Sequence, residues 1–420
     1  AELLSALDAA AGLQAGDDDI DRHDPQRRNR RPWLVRHPLQ PFDDRYFDGS
    51  DDALFSYRKD FAEMDVGSAR SDAAPVHRSA GDQTQGIAAS LDGHETFQLH
   101  EVLAYFKDPA RQIFTRRMKL RLDALDDDSL QDNEALDAKV DAIEGVARRL
   151  FLDCIRRADR AIPDRPPAWL RLTGLLPPGR SGDEAWQAES EKVARLLDAS
   201  KDHPLFANGM PQRAADAPLH RVGDELIEGG LRRAYATAGS NWIFDAFPGK
   251  KEAALDFRQR IGLFIEWGLL RLNDPRGERP ARLCIVCDGA EREWQDAING
   301  WDATFIAAIR SRDPTVGDAL LADLRRRLGA LLDHYRAAQS RPQSYFPKTS
   351  WIAATKPAEI AKAWEGGHHS IGERDYAPGY ARLLAGDVDW DADENGAALT
   401  DVAMQLRDLI TLRAGGAGVA

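Results

Sequence analysis

The stretch GGLRRAYATAGSNWIFDAFPGKK, residues 229–251, places residues able to do chemistry at the ends of two short strands. A strand, a glycine-bearing turn and a second strand ending in Asp245 could bring two carboxylates and a lysine around a divalent cation. Hydrolysing a phosphodiester that way needs two or more carboxylate oxygens on the metal and a base to activate water. The residue types are wrong for it. The inner position of the first strand is Arg232, and Phe247 stands where a lysine is wanted. An arginine cannot coordinate a cation and stays protonated at any working pH. Asp224, Glu225 and Glu228 lie on the approach strand, and Lys250 and Lys251 follow a Pro-Gly turn, so no acidic pair with a lysine is restored. Arg232 is expected to be buried and paired with Asp245 on the neighbouring strand.

The elements that would position these groups follow from periodicity. TFQLHEVLAYFKDP predicts a helix capped by Thr96, with Leu99, Val102, Leu103 and Phe106 on one side, ended at Pro109, where a second helix begins. Long helices are predicted over residues 134–160, 183–200 and 315–338. Strands are predicted over 224–247 and 281–288. Between them, ALDFRQRIGLFIEWGLLRL reads as an amphipathic helix with Phe257, Ile261, Phe264 and Ile265 at helical spacing. The triplet Arg325-Arg326-Arg327 reads as a solvated face. Helices, then strands with a helical crossover, then helices predict an α/β core sheet flanked by helices.

Bulk properties narrow the function. With 420 residues the chain can hold two or three domains with real cores. No run of 18 apolar residues occurs, so no membrane span is expected. The chain opens AELLSALDAA, without an initiator Met or a signal-peptide pattern, and reads as a fragment of a longer protein. A formal net charge of −13 argues against nucleic-acid binding over the whole surface. Local basic strips remain: residues 108–121 carry five basic residues against one acidic, and residues 145–165 six against three. Arg111, Arg116, Arg117, Lys119, Arg121, Arg148 and Arg149 are the candidates for touching phosphate; the alternative is ordinary helix faces and ion pairs. Three cysteines, Cys154, Cys284 and Cys287, suit a reducing compartment. Cys284 and Cys287 have CxxC spacing, but on a strand they point to opposite faces and cannot share a metal. Tyr345, Phe346 and Trp351 could stack on unpaired bases or clamp a loop to its own domain. His368-His369 reads as a loop and not a metal pair.

Two resemblances sharpen this. The order of helices, strand, turn, strand and helix resembles the RecB-type branch of the PD-(D/E)xK nucleases. LHEVLAYFKDP is similar to the family's entry helix, with Tyr105 and Pro109 in place. Asp108 stands where some members have a cluster-binding cysteine, and no cysteine follows Cys287, so no iron–sulfur cluster is expected. EGVARRL aligns Gly145 and puts Arg149 at the family's metal-binding histidine. GGLRR puts Arg232 at its central aspartate. Asp245-Ala246-Phe247 replaces D-x-K, and Arg260 and Phe264 replace Q-x-x-x-Y. The resemblance therefore implies a restriction-endonuclease-like mixed sheet flanked by helices, catalytically degenerate at Arg149, Arg232, Asp245 and Phe247, with no metal or cofactor.

HPLQPF, RYF and LFSY within residues 37–57, HEVLAYFKDPARQIFTRRMKLRL, LLDHYRAAQSRPQSYFPKTSW and WEGGHHSIGERDYAPGYARLL resemble the C-terminal region of the RecC family, gamma subunits of the bacterial exodeoxyribonuclease V, RecBCD. The matches run over about residues 33–385. This resemblance implies a loop-rich connector over 1–95 leading in from helicase-like domains, and a non-catalytic nuclease-like domain over 96–420. It further implies RecB, RecD and DNA as partners, a role in subunit assembly and strand guidance during double-strand break repair, and the bacterial cytoplasm as location. Two alternatives stay open: an active Mg²⁺-dependent nuclease with a rearranged site, and a protein-interaction scaffold that never meets DNA.

Overall fold

A computed structural model describes residues 46–47, 54, 96–117, 144–157, 159–172, 176, 179–207, 209–214, 218–311, 314–340, 343–367, 370–376, 379–380 and 393–412. The predicted lead-in, linker and His368-His369 lie outside them. The chain divides into two compact units, Ala1–Ala74 and Pro75–Ala420, and all that follows concerns the second.

Strand β1 (Thr96–Gln98) leads directly into helix α1 (Leu99–Lys107), followed by α2 (Pro109–Gln112) and a π-turn over Ile113–Arg117. Thr96 is thus a strand residue and caps nothing; it pairs with Leu226. The real cap in this region is Asp108, whose carboxylate accepts the N–H of Arg111 at 2.9 Å and so starts α2. Next come α3 (Glu144–Arg157), α4 (Ala168–Leu172) and α5 (Arg180–Ala199). Residues 134–143 of the predicted long helix lie outside the described residues.

Two mixed sheets follow. β3 (Leu219–Val222) and β4 (Glu225–Glu228) form a hairpin that β1 extends in parallel; Gly223 supplies the positive φ of 61° at its turn. β2 (Gln212–Arg213), β5 (Ala234–Ala236), β6 (Asn241–Phe247) and β7 (Ala281–Cys287) form the second sheet in that order. β5 and β6 are antiparallel, whereas β6 and β7 are parallel and joined by α6 (Phe257–Leu272). Helices α7 (Glu293–Arg310), α8 (Pro314–Ser340), α9 (Pro347–Thr355), α10 (Ile360–Glu365), α11 (Glu373–Tyr376) and α12 (Asp393–Ile410) complete the unit, with a short β8–β9 hairpin (Gly366–Gly367 and Ser370–Ile371) after α10. Among the described residues no helix is long and apolar enough to cross a membrane.

The strands β6 and β7 are buried on both faces, which is why they read as nearly unbroken apolar runs. Ile243, Leu283, Ile285 and Cys287 join the core formed with α1, α6, α7 and α8. Trp242, Phe244, Ala246, Cys284 and Val286 join a second core under α3 and α5. Cys284 and Cys287 therefore lie in different cores, as strand alternation requires, and burial pushes both thiols up, Cys287 to about 12.

Helix α6 differs from its sequence pattern. Its charged residues look like a solvent face, yet Arg260, Glu266 and Arg271 are all buried, and so is nearly every residue between Phe257 and Arg271. Arg327 is not part of a solvated face either. Its guanidinium donates to the carbonyls of Asp408, Leu409 and Thr411 and closes the end of α12.

His203 and His334 are enclosed by aromatic rings, the first beside Phe206 and Trp242, the second stacked on Phe106. Burial pushes both down to about 4, helped at His203 by Arg292 and Arg282. A free histidine titrates near 6.5, so the unfolded chain takes up protons first as pH falls. Both rings leave stability untouched above about pH 6.5 and withdraw it progressively towards pH 4. Urea midpoints measured from pH 7 to 4.5 should fall less steeply in H203Q/H334Q than in the parent chain. Parallel slopes would show that the rings are not held neutral.

Candidate functional site

Asp245 sits in the third pair from the end of β6, with its backbone opposite Ile285, and only 8% of the residue is exposed. On its other side the β5 register pairs Ala234 with Ile243 and Tyr235 with Trp242. Extrapolated, that ladder would place residue 232 across from Asp245. The chain leaves the ladder first. Strand β5 starts at Ala234, and residues 232–233 form a turn. The Arg232 side chain is exposed, its N–H donates to Glu266 Oε1 at 3.1 Å and its carbonyl accepts from Arg213. The pairing expected of Arg232 is thereby corrected.

The next residue takes the role. Arg233 Nε donates to Glu266 Oε2 at 2.5 Å, and its Nη1 lies 3.4 Å from Asp245 Oδ2. From the opposite side Arg148, on α3, donates to Asp245 Oδ1 through Nε at 2.9 Å and Nη2 at 2.7 Å. The Ala246 N–H donates to the same oxygen at 2.9 Å. The outcome is an alternating chain, Glu266–Arg233–Asp245–Arg148, in which each carboxylate faces fixed cationic or amide donors. Burial pushes the Glu266 carboxyl up, against the pull of Arg233 and the Arg232 N–H. Two buried carboxylates so close would repel each other without the guanidinium between them.

Space for that guanidinium comes from Gly262, one helical turn before Glu266. A Cβ there would lie 3.0 Å from Arg233 Nη2 and 3.6 Å from Leu103 Cδ2. Arg233, Glu266 and Gly262 were all missed in the sequence. The signal lay in Gly262 and Glu266 being four apart on one helix face, but an amphipathic pattern does not show which charges are buried.

The other expected positions disperse. Arg149 is exposed, with its guanidinium 4.1 Å above the Trp169 ring. Phe247 is half-buried against the main core. Arg260 donates to the carbonyls of Leu255 and Glu252 at 2.8 and 2.7 Å and lies between the rings of Trp294 and Trp351, and burial lowers it to about 10. Arg116 forms an ion pair with Glu101 on α1, and Arg111 is half-buried at the start of α2. Arg117 lies in the π-turn, and Lys119 and Arg121 fall outside the described residues. The two basic strips thus attach to different layers: Arg116 to the α1 side, Arg148 and Arg149 to α3, which packs on the opposite face of the sheet. Tyr345 and Phe346 do not present rings to bases. Both are buried, and the Tyr345 hydroxyl donates to the Phe106 carbonyl at 2.8 Å. Among the described residues no group of three or more His, Cys, Asp or Glu side chains is placed to hold a metal ion.

Residues 94–358 match the family model of the RecC C-terminal domain. No curated protein matches the chain.

Two glycine substitutions separate the hollow at Gly262 from plain helix propensity. A Cβ at Gly329 in α8 meets nothing within 4 Å, so G329A should stabilise the chain by up to about 1 kcal/mol in urea unfolding. G262A should gain nothing or lose stability, because the added methyl pushes Arg233 off its carboxylates. Equal gains at both positions would show that Arg233 does not need the space.

Proposed function

We propose that this chain, which belongs to the RecC C-terminal domain family, is a non-catalytic part of a RecC subunit that serves assembly with RecB and RecD and guides DNA strands in double-strand break repair in the bacterial cytoplasm. On this reading residues 96–420 are a restriction-endonuclease-like domain emptied of its chemistry, and residues 1–95 connect it to helicase-like domains. The β5–β6 hairpin, the α6 crossover and the parallel β7 support the fold assignment. The observation that carries the loss of activity is the guanidinium bridge. Arg233 and Arg148 hold the carboxylates at the end of β6, and they leave Asp245 no oxygen without a cationic donor. A metal-dependent hydrolase needs those oxygens for its cation and a base for its water.

Strand contact would rest on α3. Arg149 keeps its charge at the surface over Trp169, and the Arg148 side chain remains 43% exposed despite its pairing. An arginine stacked on an aromatic ring beside another cation suits an unpaired, phosphate-bearing strand. Arg111 and Arg116 are the weaker candidates, since Arg116 already spends its charge on Glu101.

Two measurements test the assignment. Co-expressed with RecB and RecD, the chain should co-purify with at least one of them; recovery of neither would remove the assembly role. In the assembled complex, R149A should weaken binding of a DNA end with a single-stranded tail and lower the slope of log K against log salt by about 1. An unchanged slope would favour a scaffold that makes no phosphate contact here.

A further inference from the structure

Strand β7 is the last strand of its sheet, and its sequence, ARLCIVC, has one charge and no proline. An apolar edge of that kind is a template on which another strand can pair. Its outward N–H groups are those of Ala281, Leu283, Ile285 and, at its end, Cys287; the alternating residues face β6. The first three outward groups are taken, and none by a strand. The Ala281 N–H donates to Asp302 Oδ2 at 3.0 Å, the Leu283 N–H to Asn299 Oδ1 at 2.8 Å, and the Ile285 N–H to Gln295 Oε1 at 2.5 Å. Asn299 also returns a bond, its Nδ2 donating to the Leu283 carbonyl at 3.0 Å. Its amide therefore copies the donor and acceptor of a paired backbone unit.

The spacing explains why a helix can do this. Gln295, Asn299 and Asp302 lie on one face of α7, which returns antiparallel to β7. Steps of four and three residues rise about 6 and 4.5 Å along a helix, against about 6.6 Å for two residues of strand. Over the run the helix falls short, and side chains of different reach, glutamine at one end and aspartate at the other, take up the difference. The two ends of the helix carry further ties. The Glu252 carboxylate accepts the N–H groups of Trp294 and Gln295 at its start, and Asp302 Oδ1 accepts from the buried Arg271 at 3.0 Å.

We propose that α7 is an edge lock: Gln295, Asn299 and Asp302 occupy the hydrogen-bonding edge of β7, and the strand they exclude is the same edge of a second copy of this chain. The second copy is the occupant because β7 is self-complementary as an antiparallel pair. It is also present wherever the chain is, at equal concentration. The lock goes beyond the assembly role and does not depend on it.

The test uses the full chain with residue-resolved hydrogen exchange and sedimentation velocity. In Q295L/N299L, the Leu283 and Ile285 amides should exchange roughly tenfold faster, while Cys284 and Val286, facing β6, keep their protection. The variant should also self-associate as its concentration rises. N299D keeps the acceptor for the Leu283 N–H and should keep that protection, and N299L alone reads Leu283 should the double variant fail to fold. Unchanged exchange at Leu283 would overturn the lock, and so would equal losses at Leu283, Cys284, Ile285 and Val286. Selective loss in a chain that stays monomeric at every concentration would overturn the second copy as the excluded partner.

Discussion

Everything around the sheet depends on a helix that carries three charges into the interior. Arg260, Glu266 and Arg271 on α6 are buried, and a buried ion without a partner costs several kcal/mol. Each therefore dictates a neighbour. Arg260 takes the carbonyls of Leu255 and Glu252, next to the carboxylate that caps α7. Glu266 fixes the turn at Arg232 and Arg233 before β5. Arg271 holds Asp302 and so the far end of α7 against β7. Three ionic ties on one crossover helix thus set the start of β5, both ends of α7 and the edge of the sheet.

The strand-end cluster follows from the same constraint. Once Glu266 is committed to the interior, a cation must sit beside it, and Arg233 fills that place in the hollow left by Gly262. Asp245 then shares the guanidinium and takes a second from Arg148. A divalent ion between these carboxylates would have to displace a covalently tethered cation. The arrangement keeps the charge balance of a metal site and lacks its coordination chemistry.

How much of this was legible in the sequence depended on how local the cause was. Strand alternation separated Cys284 from Cys287, because a period of two needs no tertiary information. Asp245 was found since it is the one charge in an apolar strand. Its partner was misassigned by one residue, because the β5 ladder stops short and the turn at 232–233 puts Arg233, not Arg232, towards the carboxylate. The amphipathic pattern of α6 did not reveal that its charges are buried, since periodicity cannot tell a hydrated arginine from one buried against a carbonyl or carboxylate. The same limit hid the capping role of Arg327. Tyr345 offered a ring that composition could assign to a base as readily as to the core, and only its bond to the Phe106 carbonyl decides.

The central claim is that guanidinium groups, not a metal, satisfy Asp245 and Glu266. Crystals of the chain soaked in Mn²⁺ and recorded at the manganese edge test it most directly. The account predicts no anomalous peak within coordination distance of Asp245 or Glu266, with Arg233 still bridging them. An ion ligated by Asp245, with Arg233 swung away, would contradict it.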